Sequence, residues 1–182
     1  MSLRPLHLLG SPVLREPAAP VGGGAAVDAE VRALVADLFE TMRAAKGVGL
    51  AANQVGVARR VAVVETAETE SFVLIDPVLV EKEGRVKEEE GCLSIPDLYA
   101  DVERAARVVV EATDEQGARR RIEGTGLLAR ALQHEMDHLD GILFLDRVGP
   151  IKRRFLLRQW EKSREGQTGY LKEVVPESAA KA

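Results

Sequence analysis

The segment His134-Glu135-Met136-Asp137-His138 constrains this chain more than any other. Two imidazoles four residues apart share one face of a helix. They can bind one divalent metal, with the carboxylate of Glu135 beside the first of them. Leu127, Ala131, His134 and His138 recur at steps of four, three and four, so they form a single stripe. A stripe that mixes apolar residues with imidazoles must face the interior. The chain must therefore fold so that other elements close over this helix and complete a metal site against its inner face.

Two histidines leave such a site incomplete, because a catalytic centre has three protein ligands and one open position. Three sources of the third ligand are open. A His three residues after Gly141 would extend the helix pattern, but position 144 is Phe144. A later acid, Glu161 or Glu165, would make the chain a zinc endopeptidase. The remaining source is Cys92, the one cysteine of the chain, which only the fold could bring to the helix. A thiolate suits a borderline-soft metal better than a carboxylate does. With one cysteine no intrachain disulfide can form. A divalent metal lowers the pKa of a water, and Glu135 is placed to take the proton.

The chain has 182 residues, 46% of them hydrophobic, enough to bury one sizeable core. With 30% charged residues and no apolar run long enough to span a bilayer, membrane insertion is not expected. The N-terminus has only a short apolar patch, cut by Pro12, so a secretory signal is not expected and the cytoplasm is the expected location. The formal net charge of −4 argues against a surface built for phosphate neutralisation, and sequence-specific nucleic-acid binding is not expected.

Residues 13–27 are rich in Pro, Gly and Ala and read as an extended arm. Asp28 is a suitable N-cap, and Val31, Leu34, Val35, Leu38, Phe39 and Met42 follow at helical spacing, predicting a helix over 29–45. Strands are predicted at 60–65, 72–75 and 78–81, with Asp76-Pro77 between the last two. Residues 99–112 and 118–123 read as a hairpin around Asp114-Glu115-Gln116-Gly117. The metal-binding helix is predicted over 127–140 with Gly141 in its cap, and a third helix over 151–165 after Gly149-Pro150. Strands and helices segregate rather than alternate, so the fold class is α+β. One domain over residues 1–166 is expected, followed by a tail, 167–182, mobile at its end.

Three segments together resemble the peptide deformylase family: Gly47-Val48-Gly49-Leu50-Ala51-Ala52-Asn53-Gln54, Glu90-Gly91-Cys92-Leu93-Ser94, and Gln133-His134-Glu135-Met136-Asp137-His138. They stand in the family's order, and the resemblance spans roughly residues 5–165. It implies antiparallel sheets packed around a central metal-binding helix, with an N-terminal and a C-terminal helix. It implies that Cys92, His134 and His138 hold one divalent metal per chain, usually Fe(II), with Zn(II), Ni(II) or Co(II) able to occupy the site. It implies hydrolysis of the formyl group from N-formylmethionine on new polypeptides, with Glu135 as general acid and base. Gln54 and the backbone N–H of Leu93 would bind the oxyanion. Gly49 and Gly91 would let backbone approach the substrate. Val48, Leu127, Ala131 and the edge of His134 would line the methionine slot. Arg130 and Glu88 depart from the aliphatic residues some members carry, which leaves the shape of that slot open. Formylated initiation implies a bacterial or organellar source. The resemblance also names a partner for the basic residues of the third helix (Lys152, Arg153, Arg154, Arg158, Lys162 and Arg164), the ribosome near its exit tunnel. The rival to ribosome docking is an ordinary solvated helix face.

Overall fold

The computed structural model describes residues 2–22 and 27–175. Asp28 caps helix α1, Ala29–Ala44, by accepting a hydrogen bond from the Val31 N–H at 2.9 Å. This satisfies one of the four N–H groups that a helix start leaves without partners. The helix buries Val31, Leu34, Val35, Leu38 and Met42 in a first core cluster with Val61, Val63, Val73 and Ile75. Each such side chain, fully buried, stabilises by roughly 1.5–3 kcal/mol.

The strands are β1, Leu6–His7; β2, Gly49–Ala51; β3, Val61–Val64; β4, Phe72–Glu83; β5, Val86–Cys92; β6, Ile95–Arg104; β7, Arg107–Thr113; β8, Arg119–Thr125; and β9, Leu171–Lys172. Five of them form an antiparallel sheet in the order β2-β3-β4-β7-β8. β5 and β6 form a separate hairpin, and β1 pairs antiparallel with β9. Helix α2, Gly126–Leu139, lies on the five-stranded sheet. Its Leu128, Ala129, Leu132 and Leu139 pack with Ala62, Val64, Leu74, Val108 and Val110 in a second cluster. The β5–β6 hairpin covers the helix from the other side. A third cluster joins that hairpin to the N-terminal segment and to helix α3, Pro150–Ser163, through Ile95, Val102, Phe144, Leu156 and Trp160. The α+β class, with antiparallel sheets around the helix that carries the two histidines, is borne out.

Several elements differ from the sequence reading. Asp76-Pro77 does not end a strand: β4 runs through it with a register shift between Ile75 and Val78. Asp76 takes φ 48°, and its carboxylate accepts hydrogen bonds from Val21 and Gly22 N–H. A bulge is where a strand tolerates proline. The stretch 99–112 is not one strand but parts of two, β6 and β7, separated at Ala105-Ala106. β2 and β5 lie in segments for which no strand was predicted. Pro12–Arg15, overlapping the start of the Pro-Gly-rich arm, forms a 3-10 turn, and residues 23–26 of that arm lie outside the described residues. The segment beyond residue 166 folds back so that Leu171–Lys172 pairs with Leu6–His7. The expected mobile end falls on residues 176–182, outside the described ones. Among the described residues no helix is long and apolar enough to cross a membrane.

Candidate metal centre

His134 and His138 project from the inner face of α2, and β5 ends at Cys92 directly opposite. The Cys92 Sγ lies 3.2 Å from His138 Nε2. One ligand atom from each of Cys92, His134 and His138 falls within 4.8 Å of the others. In a tetrahedral site with bonds of about 2.0–2.3 Å, neighbouring donors lie about 3.3–3.7 Å apart. One ion can therefore reach all three with small rotations.

The chemistry of the donors fits a divalent transition metal. A thiol and two imidazoles select such a metal over a hard, oxygen-seeking cation. Burial pushes the His134 ring down, but hydrogen bonds with Cys92 and Glu90 overcome it and hold that ring well above the usual imidazole range. Burial, reinforced by the His134 charge, pulls His138 well below that range. Thus two adjacent rings, with centroids 5.0 Å apart, are driven in opposite directions. A cation shared between two neutral rings relieves that conflict. His134 Nδ1 lies 3.2 Å from Glu90 Oε2, which leaves Nε2 for the metal.

Glu135 is the neighbouring acid, and its side chain turns into the same cavity. Burial pushes its carboxyl up to about 7. Its Oε2 is buried without a hydrogen-bond partner. Gly49 packs so tightly on this carboxyl that a methyl group at that position would overlap it. Gln54 is oriented by the backbone three residues before it. Its Oε1 accepts from Ala51 N–H at 2.9 Å, which aims Nε2 at Ser94 Oγ (3.0 Å) and Cys92 Sγ (3.6 Å).

Cys92, His134, Glu135 and Gln54 border one cavity of about 400 Å³, together with Val48, Gly49, Gly91, Leu93 and Tyr99, while His138 is buried behind it. The Tyr99 ring lies against Gly91, where a side chain would collide with it. Two of the residues expected around the substrate lie elsewhere. Leu127 is exposed and borders a separate depression with Thr66 and Glu123. Ala131 is buried in the second core cluster. Arg130, one turn before His134, reaches across to β5 and pairs with Glu88 at 2.9 Å and with the Glu89 carbonyl at 3.1 Å. Glu161 and Glu165, the ligands that an endopeptidase would have used, are exposed, on α3 and just beyond it.

A buried charge network behind the metal donors had no role in the sequence reading. Arg104 donates to both Glu90 oxygens at 2.9 Å and to Asp137 at 2.5 Å. Arg147 closes the far side of Asp137. Burial pushes Glu90 up, but Arg104 and then His134 outweigh it and hold the carboxyl at about 2. Asn53 donates to the His138 carbonyl at 2.5 Å, and Gln133 bonds both backbone groups of Ala105. Glu90 and Asp137 stood inside recognised motifs, which was the available signal. Nothing in the sequence marked Arg104.

A thiolate-imidazole metal centre set beside a buried carboxylic acid, on the inner face of one helix, defines a metallohydrolase. The particular family follows from comparison with known proteins. The sequence model of polypeptide deformylase matches residues 3–154, and the chain belongs to that family. It is 45% identical over 166 residues to the peptide deformylase of Acidobacterium capsulatum, covering 89% of this chain and 96% of the relative. It is 49% identical over 148 residues to that of Heliobacterium modesticaldum, covering 81% and 95%. Among solved structures, the peptide deformylase from Legionella pneumophila matches with TM-score 0.84 at 40% identity, over 90% of this chain and 96% of that one. The peptide deformylase from Ehrlichia chaffeensis in complex with actinonin matches with TM-score 0.85 at 36% identity, over 90% and 98%.

Proposed function

We propose that this chain removes the formyl group from N-formylmethionine at the start of new polypeptides and releases formate. The observation that carries the reading is the clustering of three metal donors, Cys92, His134 and His138, beside a cavity that Cys92, His134, Glu135 and Gln54 border, in a chain of this family.

Cys92, His134 and His138 would hold one divalent metal per chain. Fe(II) is the expected ion, and the same donors accept Zn(II), Ni(II) or Co(II). When bound, the metal lowers the pKa of a water and polarises the formyl oxygen.

The chain's own residues then do the following. Glu135 takes a proton from the attacking water as the new C–O bond forms at the formyl carbon. It returns that proton to the amine nitrogen as the C–N bond breaks. Burial raises the Glu135 carboxyl, which favours its holding the proton between the two halves of this transfer. Gln54 Nε2 and the backbone N–H of Leu93 donate to the oxygen that becomes negative. Gly49 and Gly91 allow the substrate backbone close to these groups. Val48 and the edge of the His134 ring, both on the cavity, form the wall of the methionine slot. Selectivity for formyl-Met over formyl-Ala peptides tests the slot, and equal rates reject it.

The second partner is the ribosome, and the reaction takes place in the cytoplasm. α3 leaves Ile151 and Phe155 exposed among its basic side chains. This is a surface that an anionic partner with apolar recesses can cover. Neutralising Lys152, Arg154 and Arg158 is expected to reduce co-sedimentation with ribosomes at low salt, and unchanged co-sedimentation rejects docking.

The metal-loaded protein should release formate from formyl-Met-Ala without cutting internal peptide bonds. Internal cleavage without formate release would overturn the reading in favour of an endopeptidase.

A further inference from the structure

The metal-site cavity has a neighbour. A groove of about 800 Å³ runs between the start of β6, the end of α3 and β9. Pro96, Asp97, Leu98 and Lys172 border both spaces, so the two share one wall. Asp97 takes φ 64°, which turns the chain sharply at this shared rim.

The far side of the groove is held firmly. Trp160 is buried at its floor, and the Arg164 guanidinium sits over the indole, 5.7 Å from its centroid. Arg164 also ties down the following turn through the Gly169 carbonyl at 2.6 Å. Leu8 N–H donates to the Tyr170 carbonyl at 2.7 Å, which fixes β9 to the body of the protein. β9 pairs only with β1, so its second edge has no strand partner among the described residues. Lys162, Arg164 and Lys172 outnumber the one carboxylate, Asp97, around the groove.

We infer that this groove takes the downstream part of the substrate, an extended polypeptide segment with acidic side chains, after it leaves the metal-site cavity. The inference rests on the deformylase reading. A substrate that is a growing chain must exit the cavity somewhere, and the shared wall is an exit already lined on its far side. An extended chain advances about 3.3–3.6 Å per residue, so eight residues reach about 27 Å. A dipeptide ends within the cavity. The free edge of β9 offers backbone groups to an extended segment, and the excess of cations selects its charge.

The single tryptophan of the chain lies in this groove, which gives a readout independent of catalysis. The probe is an N-acetyl-Met octapeptide with acids at positions five to eight, which has no formyl group to lose. It is titrated against metal-loaded protein while Trp160 emission is followed, with N-acetyl-Met-Ala as control. A saturable change with the octapeptide alone is expected, with affinity falling about threefold in Lys162→Glu, the effect of one partly exposed ion pair. The formylated pair of peptides should show the same pattern, with the octapeptide-to-dipeptide ratio of kcat/KM above one and about threefold smaller in Lys162→Glu. No emission change with the octapeptide, or an equal response in Lys162→Glu, overturns the inference. Absence of formate release from formyl-Met-Ala would instead reject the deformylase reading, and the emission titration would still decide the groove.

Discussion

His134 Nδ1 sits 3.2 Å from Glu90 Oε2, and that same carboxylate is gripped at both oxygens by Arg104. The ring orientation at the metal is therefore set by a charge network that never touches the metal. Arg104 is buried between two acids, so its loss leaves Glu90 to His134 alone and Asp137 to Arg147 alone. Breaking a buried pair in this way costs about 3–5 kcal/mol.

Arg104→Met should accordingly lower stability by about 3–5 kcal/mol in denaturant unfolding. Glu90→Gln, which keeps shape and one acceptor, should fold but bind Co(II) about 10–100-fold more weakly. Metal competition measures the second effect directly. Unchanged affinity in Glu90→Gln would remove the carboxylate from the account of the site.

Gln54→Ala should reduce kcat by about 10²–10³ while metal content stays close to one per chain. The separation matters because Gln54 also approaches Cys92 Sγ. Elemental analysis beside steady-state kinetics distinguishes loss of an oxyanion donor from loss of metal.

Acid stability carries a smaller, separable contribution from the pair Arg43–Glu65. The hydrogen bond from Arg43, and then that from Ser71, holds Glu65 at about 2, below the ordinary 4.5. A carboxyl lowered in the folded state stabilises fully above its unfolded pKa. That contribution is lost as pH falls from about 4.5 towards about 2. Arg43 is more than half exposed, so solvent screening limits the effect to at most about 1 kcal/mol. Arg43→Gln should flatten the stability curve in that window and leave its neutral-pH shape unchanged, as urea midpoints across the range would record.

Iron-loaded protein should lose activity in air while nickel-loaded protein keeps it, because a ferrous thiolate site is open to oxidation at metal and sulfur. Parallel time courses in air and under nitrogen test this. Equal decay of the two forms in air would count against iron as the fragile species.

The parts of this molecule legible in the sequence are those set by local rules. Asp28 and the apolar spacing after it marked α1, and the four-residue step placed His134 and His138 on one face of α2. Cys92 could be named as a ligand only as one of several possibilities until motif order was considered, because its approach to His138 is made by the β5–β6 hairpin across 46 residues of chain. The boundary between β6 and β7 was hidden because Ala105-Ala106 contains neither glycine nor proline. Asp76-Pro77 misled in the opposite direction, since a bulge and two hydrogen bonds to the N-terminal arm let β4 continue. Arg104 occupies an inward position on β6 that period-two alternation assigns to an apolar side chain. Only the two acids it meets, one from β5 and one from α2, explain a cation there. Leu127 lies on the predicted stripe, yet it borders a different depression with the last residues of β8 and the segment 66–69.

The measurement that tests the central claim most directly is formate release from formyl-Met-Ala by protein loaded anaerobically with Fe(II), beside Glu135→Ala loaded in the same way. The account predicts robust release by the first and a fall of about 10²–10⁴ in kcat for the second, with equal metal content in both. Undiminished release by Glu135→Ala at full metal occupancy would contradict it.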